Sequence, residues 1–189
     1  IKSSAASDVY KRQTADIREN YKQKAIEYFD NIDIDFSKYE ILGIEKKCDF
    51  EINGYKFTGY IDLLLREKDT GKIVLIDHKS SKYPYGKKGK LLKSEKDKFQ
   101  QYKRQLYLYS IQVFNEYGVF PDRIGWNYFG DRKWDFLDFN KEDYEEAKKW
   151  AIDTLEEVRN TSEFPPTVDF YYCHNLCKFR NSYCEYKNY

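Results

Sequence analysis

Apolar and polar residues follow one another in patterns that predict a helix and then a strand at the beginning of the chain. Apolar residues recur at helical spacing over residues 14–32, which indicates a helix. Residues 40–52 alternate between apolar and polar, which is typical of a half-buried strand. The expected apolar face of that strand carries Ile44, Cys48, Phe50 and Ile52, with Lys46 as its one exception.

A hairpin, a buried strand and a loop are predicted next. Asn53-Gly54 is the strongest short hairpin signal, and it leads into a second strand over residues 55–66. The run IVLID lies in a third strand over residues 72–79, and such a run is typical of a strand buried on both faces. Residues 80–97 contain a proline, two glycines and many lysines, so we expect a long loop there.

The second half of the chain predicts a helix, a hairpin and another helix. The first helix spans residues 98–117, and the hairpin spans residues 123–139 with its turn at Gly130-Asp131. Asn140 is the expected N-cap of the last helix, which runs to about residue 159. This order predicts an α/β or α+β fold in which helices flank a central mixed sheet, followed by a cysteine-bearing C-terminal tail.

Composition and charge narrow the class of protein but not its function. The 189 residues suffice for one domain, and 33 basic against 32 acidic residues give a net charge of +1, which by itself indicates no polyanionic partner. No apolar run approaches the roughly 20 residues that span a bilayer, and no signal peptide opens the chain. We therefore expect a soluble, intracellular protein without a membrane partner.

The first thirteen residues have an unusual composition. The chain contains no methionine, and residues 3–13 read SSAASDVYKRQ, which ends as the translation of a transposon-type sequencing adapter would. Our hypothesis is that residues 1–13 are non-native and that the natural chain begins near Thr14, without an N-terminal part of its domain. Residues 14–164 are then the expected core, and residues 165–189 the tail.

Two acidic residues and a lysine lie on the second and third predicted strands. Asp62 follows Gly59 in GYID, while Asp77 and Lys79 are two residues apart and so share one sheet face. Two carboxylates there are costly unless they are neutralised, and Mg²⁺ or Mn²⁺, which prefers oxygen ligands, would do so. A metal-bound water can attack a phosphodiester, with Lys79 orienting it or stabilising phosphate charge. The alternative is that both acids simply end their strands and Lys79 pairs with one at the surface.

This arrangement resembles the PD-(D/E)XK nuclease superfamily and, within it, the RecB-like exonucleases, which include phage and CRISPR-adaptation nucleases. Beside G-x-x-D and D-x-K, the resemblance covers a Glu before the hairpin and Q-x-x-x-Y on the following helix, here Glu45, Gln105 and Tyr109. It implies a restriction-endonuclease-like core in which Asp62, Asp77 and the backbone carbonyl of His78 bind Mg²⁺ or Mn²⁺.

The resemblance gives Gln105 and Tyr109 a place near the site or the DNA, whereas the pattern alone would make Tyr109 a core residue and Gln105 a surface one. Glu45 by itself fits a polar strand face equally well. One departure concerns the histidine ligand that these nucleases usually supply from an early helix, because this chain has only His78 and His174. We expect that ligand to lie in the missing N-terminal part, which leaves open whether this chain is active by itself.

Basic residues are concentrated directly after the D-x-K pair. Residues 79–104 contain ten basic and two acidic residues, interleaved with aromatic ones, a pattern typical of a surface that binds phosphates and stacks on bases. The expected DNA-binding residues are Lys82, Lys87, Lys88, Lys90, Lys93 and Arg104. The alternative is a solvated, mobile loop that charge keeps soluble.

Three of the four cysteines lie in the tail. Because nothing indicates secretion, a metal site on Cys173, Cys177 and Cys184 is favoured over disulfides. The tail is similar to that of RecB-like nucleases whose three C-terminal cysteines and one N-terminal cysteine hold a [4Fe–4S] cluster, although its spacings are one residue wider. Zinc or free thiols are the alternatives. Cys48, on an apolar strand face, is expected to be a core residue.

Together these features predict a metal-dependent DNA nuclease, an exonuclease or end-processing enzyme in recombination, repair or phage DNA metabolism. The resemblance also implies the cytoplasm of a bacterium or a phage-infected cell, with DNA and a helicase or recombination protein as partners. The alternatives are a non-catalytic DNA-binding or assembly module of the same fold, and an endonuclease of restriction or junction specificity.

Overall fold

The computed structural model describes residues 15–32, 34–166, 168–179 and 184–185, with side chains from residue 19 onward. The hypothesis about residues 1–13 therefore falls outside the described residues. The chain divides into two compact units, Ile1–Ile152 and Asp153–Tyr189. None of the helices in the described ranges is long and apolar enough to cross a membrane.

Nine helices and strands make up the regular structure of the described residues, together with two short 3₁₀ turns. They are α1 (Ala15–Asp30), β1 (Tyr39–Ile52), β2 (Tyr55–Glu67), β3 (Ile73–Lys79), α2 (Lys96–Tyr117), β4 (Arg123–Tyr128), β5 (Lys133–Asp138), α3 (Lys141–Asn160) and α4 (Phe170–Asn175). The first eight confirm the predicted elements to within a few residues at each end. The short helix α4 was not predicted.

The five strands form one mixed sheet in the order β1-β2-β3-β4-β5. All neighbours pair antiparallel except β3 and β4, which are parallel because α2 carries the chain back between them. The β1–β2 hairpin turns at Asn53 and Gly54, whose φ angles of 50° and 82° are the positive values that the predicted two-residue turn requires. Asn140 caps α3 as predicted, since its Oδ1 accepts from the Asp143 backbone N–H at 2.9 Å.

The two faces of the sheet are covered unequally. Helices α2 and α3 pack on one face and form the main core, to which α2 contributes Leu106 and Val113, and α3 contributes Ala147 and Ala151. The other face carries a small cluster of Leu63, Leu65, Val74 and Ile76. Residues of β3 alternate between the two clusters, which confirms that this strand is buried on both faces.

The alternation of β1 reverses at Glu45, which has a left-handed backbone with φ of 48°. Cys48, Phe50 and Ile52 face the main core as predicted, but Ile44 lies on the opposite face and is 64% exposed. The prediction that Ile44 shares their face was therefore wrong, because one left-handed residue turns the following side chains over. The paired strand β2 changes face at the same level, with Ile61 in the main core and Leu63 in the small cluster.

The second unit contains the last part of α3 and the tail. Asp169 caps α4 by accepting from the Tyr172 backbone N–H at 2.9 Å, and the Tyr172 carbonyl in turn accepts from the Cys177 N–H at 2.9 Å. Many of its aromatic side chains are exposed, among them Phe164 and Phe170 at 70% and 69%.

Candidate active site

Strands β2 and β3 separate at the level of Asp62. Their ladder ends with the pair Leu63–Ile76, so that Asp62 would face Asp77 in the next pair. Beyond the end of the ladder, the backbone N–H of His78 donates to the Asp62 carboxylate, at 2.6 Å, instead of to a backbone carbonyl of β2. This hydrogen bond holds the Asp62 side chain against β3, the strand that carries Asp77. The negative charge of Asp62 also acts electrostatically on the Asp77 carboxyl.

The Asp77 side chain is almost completely buried. It is 5% exposed, and the Lys79 ammonium lies 2.5 Å from its Oδ2. This contact is a close, largely buried ion pair. Burial raises the pKa of Asp77, Lys79 opposes the rise, and the negative charge of Asp62 adds to it. A carboxylate in this position is stabilised by additional positive charge.

Lys79 connects the strand residues to α2. Its ammonium donates to Gln105 Oε1 at 3.2 Å and lies 3.8 Å from the centre of the Tyr102 ring. Gln105 in turn donates to the Tyr109 hydroxyl at 3.3 Å, because residues four apart share one helix face. The structure thus brings Asp77, Lys79, Gln105 and Tyr109 into one chain of polar contacts.

Glu45 lies near this group but outside its contacts. It falls between the strand pairs Ile44–Leu63 and Lys46–Ile61, which places it opposite Asp62, and its side chain is exposed. The left-handed backbone of Glu45 interrupts the regular alternation of side chains along β1.

A comparison with known proteins decides the family. A family model of the PD-(D/E)XK nuclease superfamily matches residues 2–189 of this chain. The chain belongs to this superfamily. Curated protein sequences give no match. Members of the PD-(D/E)XK superfamily are generally nucleases that hydrolyse phosphodiester bonds, typically with Mg²⁺ or Mn²⁺, and the mixed sheet with flanking helices is their restriction-endonuclease-like fold.

The donor set of this PD-(D/E)XK chain fits one divalent ion of the hard type. Mg²⁺ is usually bound through one or two carboxylates and keeps several waters, so Asp62 and Asp77 provide enough protein ligands. Asp77 is buried beside a second carboxylate, Asp62, with Lys79 as its close cationic partner, and this pairing of two acids at a buried position is the observation that favours a divalent cation there. The described residues contain no group of three His, Cys, Asp or Glu side chains arranged around one point, so a larger protein cage is not present among them.

The tail cysteines do not form a cluster site in the described structure. Cys173 and Cys184 are half-buried and Cys177 is exposed, and no described group of three or more cysteine, histidine or acidic side chains is placed to hold a metal. The described residues therefore give no support for a [4Fe–4S] cluster or a zinc ion, and this metal site stays a prediction. Cys48 is a core residue, since it is fully buried and burial raises the pKa of its thiol to about 12.

The lysine-rich loop, residues 80–95, is ordered by its own backbone contacts. Tyr85 and Leu91 form an isolated bridge, and Leu92 donates to the Pro84 carbonyl at 3.0 Å. Its aromatic residues point inward, where Tyr83 packs edge-on against Tyr128. Its predicted DNA-binding residues are all exposed, namely Lys82, Lys87, Lys88, Lys90 and Lys93.

Arg104 has a different setting from these lysines. Its guanidinium donates to Glu146 on α3, with the Nε–Oε1 distance at 3.0 Å, and lies 4.8 Å from the Trp150 ring centre. This ion pair ties α2 to α3 and offsets part of the charge of Arg104, while the predicted DNA contact of Arg104 stays a prediction.

Two features of the site were missed by sequence reasoning. One is Tyr102 as the ring beneath the Lys79 ammonium, for which the only signal is its spacing of three and seven residues from Gln105 and Tyr109. The other is the hydrogen-bonded pair of His78 and Asn127 on the opposite face, which depends on the parallel β3–β4 register and leaves no signal in the sequence.

Proposed function

We propose that the chain is a Mg²⁺- or Mn²⁺-dependent DNA nuclease of the RecB-like type, acting as an exonuclease or end-processing enzyme. The observation that carries this proposal is the ion pair of Asp77 and Lys79 beside Asp62, at the point where β2 and β3 separate. A buried carboxylate and a fixed ammonium at one open end of the sheet are what phosphodiester hydrolysis uses.

The two carboxylates have distinct roles in this proposal. Asp77, which is almost fully buried, would be the main metal ligand, since a bound cation would offset the cost of burying its charge. Asp62 would be the second ligand, and its hydrogen bond to the His78 N–H fixes the direction of its carboxylate. The bound ion lowers the pKa of its water and neutralises charge on the phosphate.

Lys79 would act on the same water and phosphate. The Gln105 acceptor and the Tyr102 ring hold its ammonium in place, so the Lys79 side chain loses little conformational entropy during the reaction. From there it can orient the attacking water and stabilise negative charge as it develops on the phosphate oxygens. Gln105 and Tyr109 are positioning residues, because they act through Lys79.

A cleavage assay on linear single-stranded and duplex DNA tests the proposal. We expect activity with Mg²⁺ or Mn²⁺, none with chelator, and a loss of at least about 100-fold in Asp77→Asn and in Lys79→Ala. The matched controls are Lys47→Ala and Asp49→Asn, an exposed ion pair on β1 with the same one-residue spacing and a 2.7 Å contact. Activity that survives both active-site substitutions would contradict the assignment.

Product analysis then separates exonuclease from endonuclease action. An exonuclease releases nucleotides from linear DNA and leaves covalently closed circles intact, whereas an endonuclease cuts circles as well. Association with a helicase or recombination protein and the [4Fe–4S] cluster remain predictions of the sequence. Iron and zinc analysis of anaerobically purified protein, with its visible spectrum, tests the cluster separately, and the proposed nuclease chemistry does not depend on it.

A further inference from the structure

A groove of about 550 Å³ runs between α1 and the sheet face opposite α2. Its walls are mostly apolar and include Tyr28, Phe29, Ile44 and Phe129, while Asp62 and His78 reach it from the strand ends. The size and the mixture of aromatic walls with a few polar groups are those of a ligand site for a small planar molecule.

The walls of the groove expose large apolar side chains to solvent. Phe29 is 71% exposed, Ile44 64% and Phe129 40%, and all three border the same groove. A contiguous apolar surface of this kind is unusual in a soluble domain unless it binds something.

A polar pair lies at one side of the groove. Asn127 is 1% exposed, and its Nδ2 donates to the Tyr28 hydroxyl at 2.6 Å and lies 3.1 Å from His78 Nδ1. Its Oδ1 has no hydrogen-bond partner among the residues that the structure describes. The contact with Asn127 orients the exposed His78 ring at the groove, where the edge of the ring can form a hydrogen bond.

Asp62 is common to the groove and to the candidate active site. Its carboxylate accepts from the His78 N–H, contributes charge at Asp77 and also lines the groove. A molecule in the groove would therefore contact Asp62, one of the two carboxylates proposed to hold the ion that binds the cleaved phosphate. In a nucleic acid, the group joined to a phosphate through one sugar is a base.

We propose that the groove receives one unpaired base of the strand whose phosphate is cleaved, and this rests on the proposed nuclease function. Phe129 and Phe29 supply rings for stacking, which is tolerant of base identity because every base has a π-face. A base enters only after it leaves its own stack, and this costs least in single strands and frayed ends. The substrate class that follows is single-stranded DNA or a duplex end that has opened.

The test measures binding of single-stranded oligonucleotides to the full chain in Ca²⁺, with 2-aminopurine at the nucleotide next to the bound phosphate. We expect fluorescence quenching with the single strand and none with a blunt duplex that carries 2-aminopurine internally. Phe129→Ala should weaken single-strand affinity about tenfold, and an abasic nucleotide at the same position should weaken the wild type equally. Phe114→Ala is the matched control, since Phe114 is 44% exposed on α2 and stacks on Phe120 outside the groove.

The combination of both changes decides between a base pocket and a folding defect. If the base occupies the groove, the abasic nucleotide costs nothing further in Phe129→Ala, whereas independent effects would multiply. Multiplying effects, an unchanged affinity in Phe129→Ala, or equal quenching of the duplex would overturn the base pocket. The nuclease assignment fails separately, if cleavage survives both Asp77→Asn and Lys79→Ala, so the two ideas are distinguishable.

Discussion

Gly59 on β2 lies so close to Tyr109 on α2 that a Cβ atom at position 59 would be 2.5 Å from the Tyr109 hydroxyl oxygen and 2.6 Å from its Cε1. Atoms of this kind do not approach below about 3 Å, so only glycine leaves room for the phenol. The same hydroxyl accepts from Gln105, which accepts from Lys79. The glycine of G-x-x-D therefore sets the position of the ammonium through two side chains.

Gly59→Ala should lower the cleavage rate about 10- to 100-fold while the protein stays folded, since displacing a positioning chain by about 1 Å is enough for such a loss. The measurements are kcat on linear DNA and thermal unfolding. Gly130→Ala is the control, because a Cβ there meets only the Ser80 carbonyl oxygen at 4.0 Å. A Gly59→Ala protein with wild-type kcat would show that the Tyr109 contact does not position Lys79.

Divalent metal should stabilise the folded protein through Asp77. At a concentration of about 100 times Kd, binding adds about 2.7 kcal/mol, which for a chain of this size corresponds to a rise in Tm of roughly 5–10 °C. Asp77→Asn should lose most of this rise in a thermal-shift assay with Mn²⁺. An equal rise in both proteins would place the metal elsewhere.

Metal binding should also depend on pH in a specific direction. Metal requires the ionised form of Asp77, and burial holds the pKa of that carboxyl above its usual 3.8. At a fixed Mn²⁺ concentration, the Mn²⁺-induced rise in Tm should therefore shrink progressively once the pH falls below the raised pKa of Asp77. Lys79→Met removes a cation that lowers the Asp77 pKa, so this loss should begin at higher pH. A shift to lower pH would contradict the ion pair as the controlling contact.

Asp135 predicts a pH dependence of stability that is independent of metal. Burial raises the pKa of Asp135, and the Tyr85 hydroxyl, which donates to it, opposes this rise. The folded carboxyl thus binds its proton more tightly than the unfolded one, so stability falls as the pH rises from the unfolded pKa through the folded pKa. Asp135→Asn should raise Tm at pH 7, by about 2–4 °C for each kcal/mol gained, and flatten this dependence. A lower Tm with an unchanged slope would contradict it.

The exposed lysines of the loop should supply much of the salt dependence of DNA binding. Replacing four of them by Gln should weaken affinity and reduce the slope of log K against log salt by up to about 3 for a single strand. The four are Lys87, Lys88, Lys90 and Lys93. The control replaces exposed lysines on other elements, namely Lys38, Lys56, Lys72 and Lys141. Equal slopes in the two variants would leave the loop without a specific role.

Local patterns predicted those parts of the fold and site that local chemistry determines. The turn at Asn53-Gly54 follows from the tolerance of both residues for positive φ, and the shared face of Asp77 and Lys79 follows from strand geometry. The side of the sheet taken by Ile44 did not follow, because the reversal at Glu45 needs a left-handed backbone in a residue that rarely adopts one. The sequence also did not predict the ion pair of Arg104, because its partner Glu146 lies 42 positions away in the chain.

The left-handed turn at Glu45 makes one continuous strand serve two different surfaces. Before it, Ile41 and Ile44 belong to the groove, and beyond it Cys48 and Phe50 belong to the helix-covered core. Deleting one residue on either side would exchange these surfaces, exposing core side chains while burying groove side chains. The length of β1 should thus tolerate insertion or deletion far less than its exposed sequence tolerates substitution, even at positions that touch neither metal nor DNA.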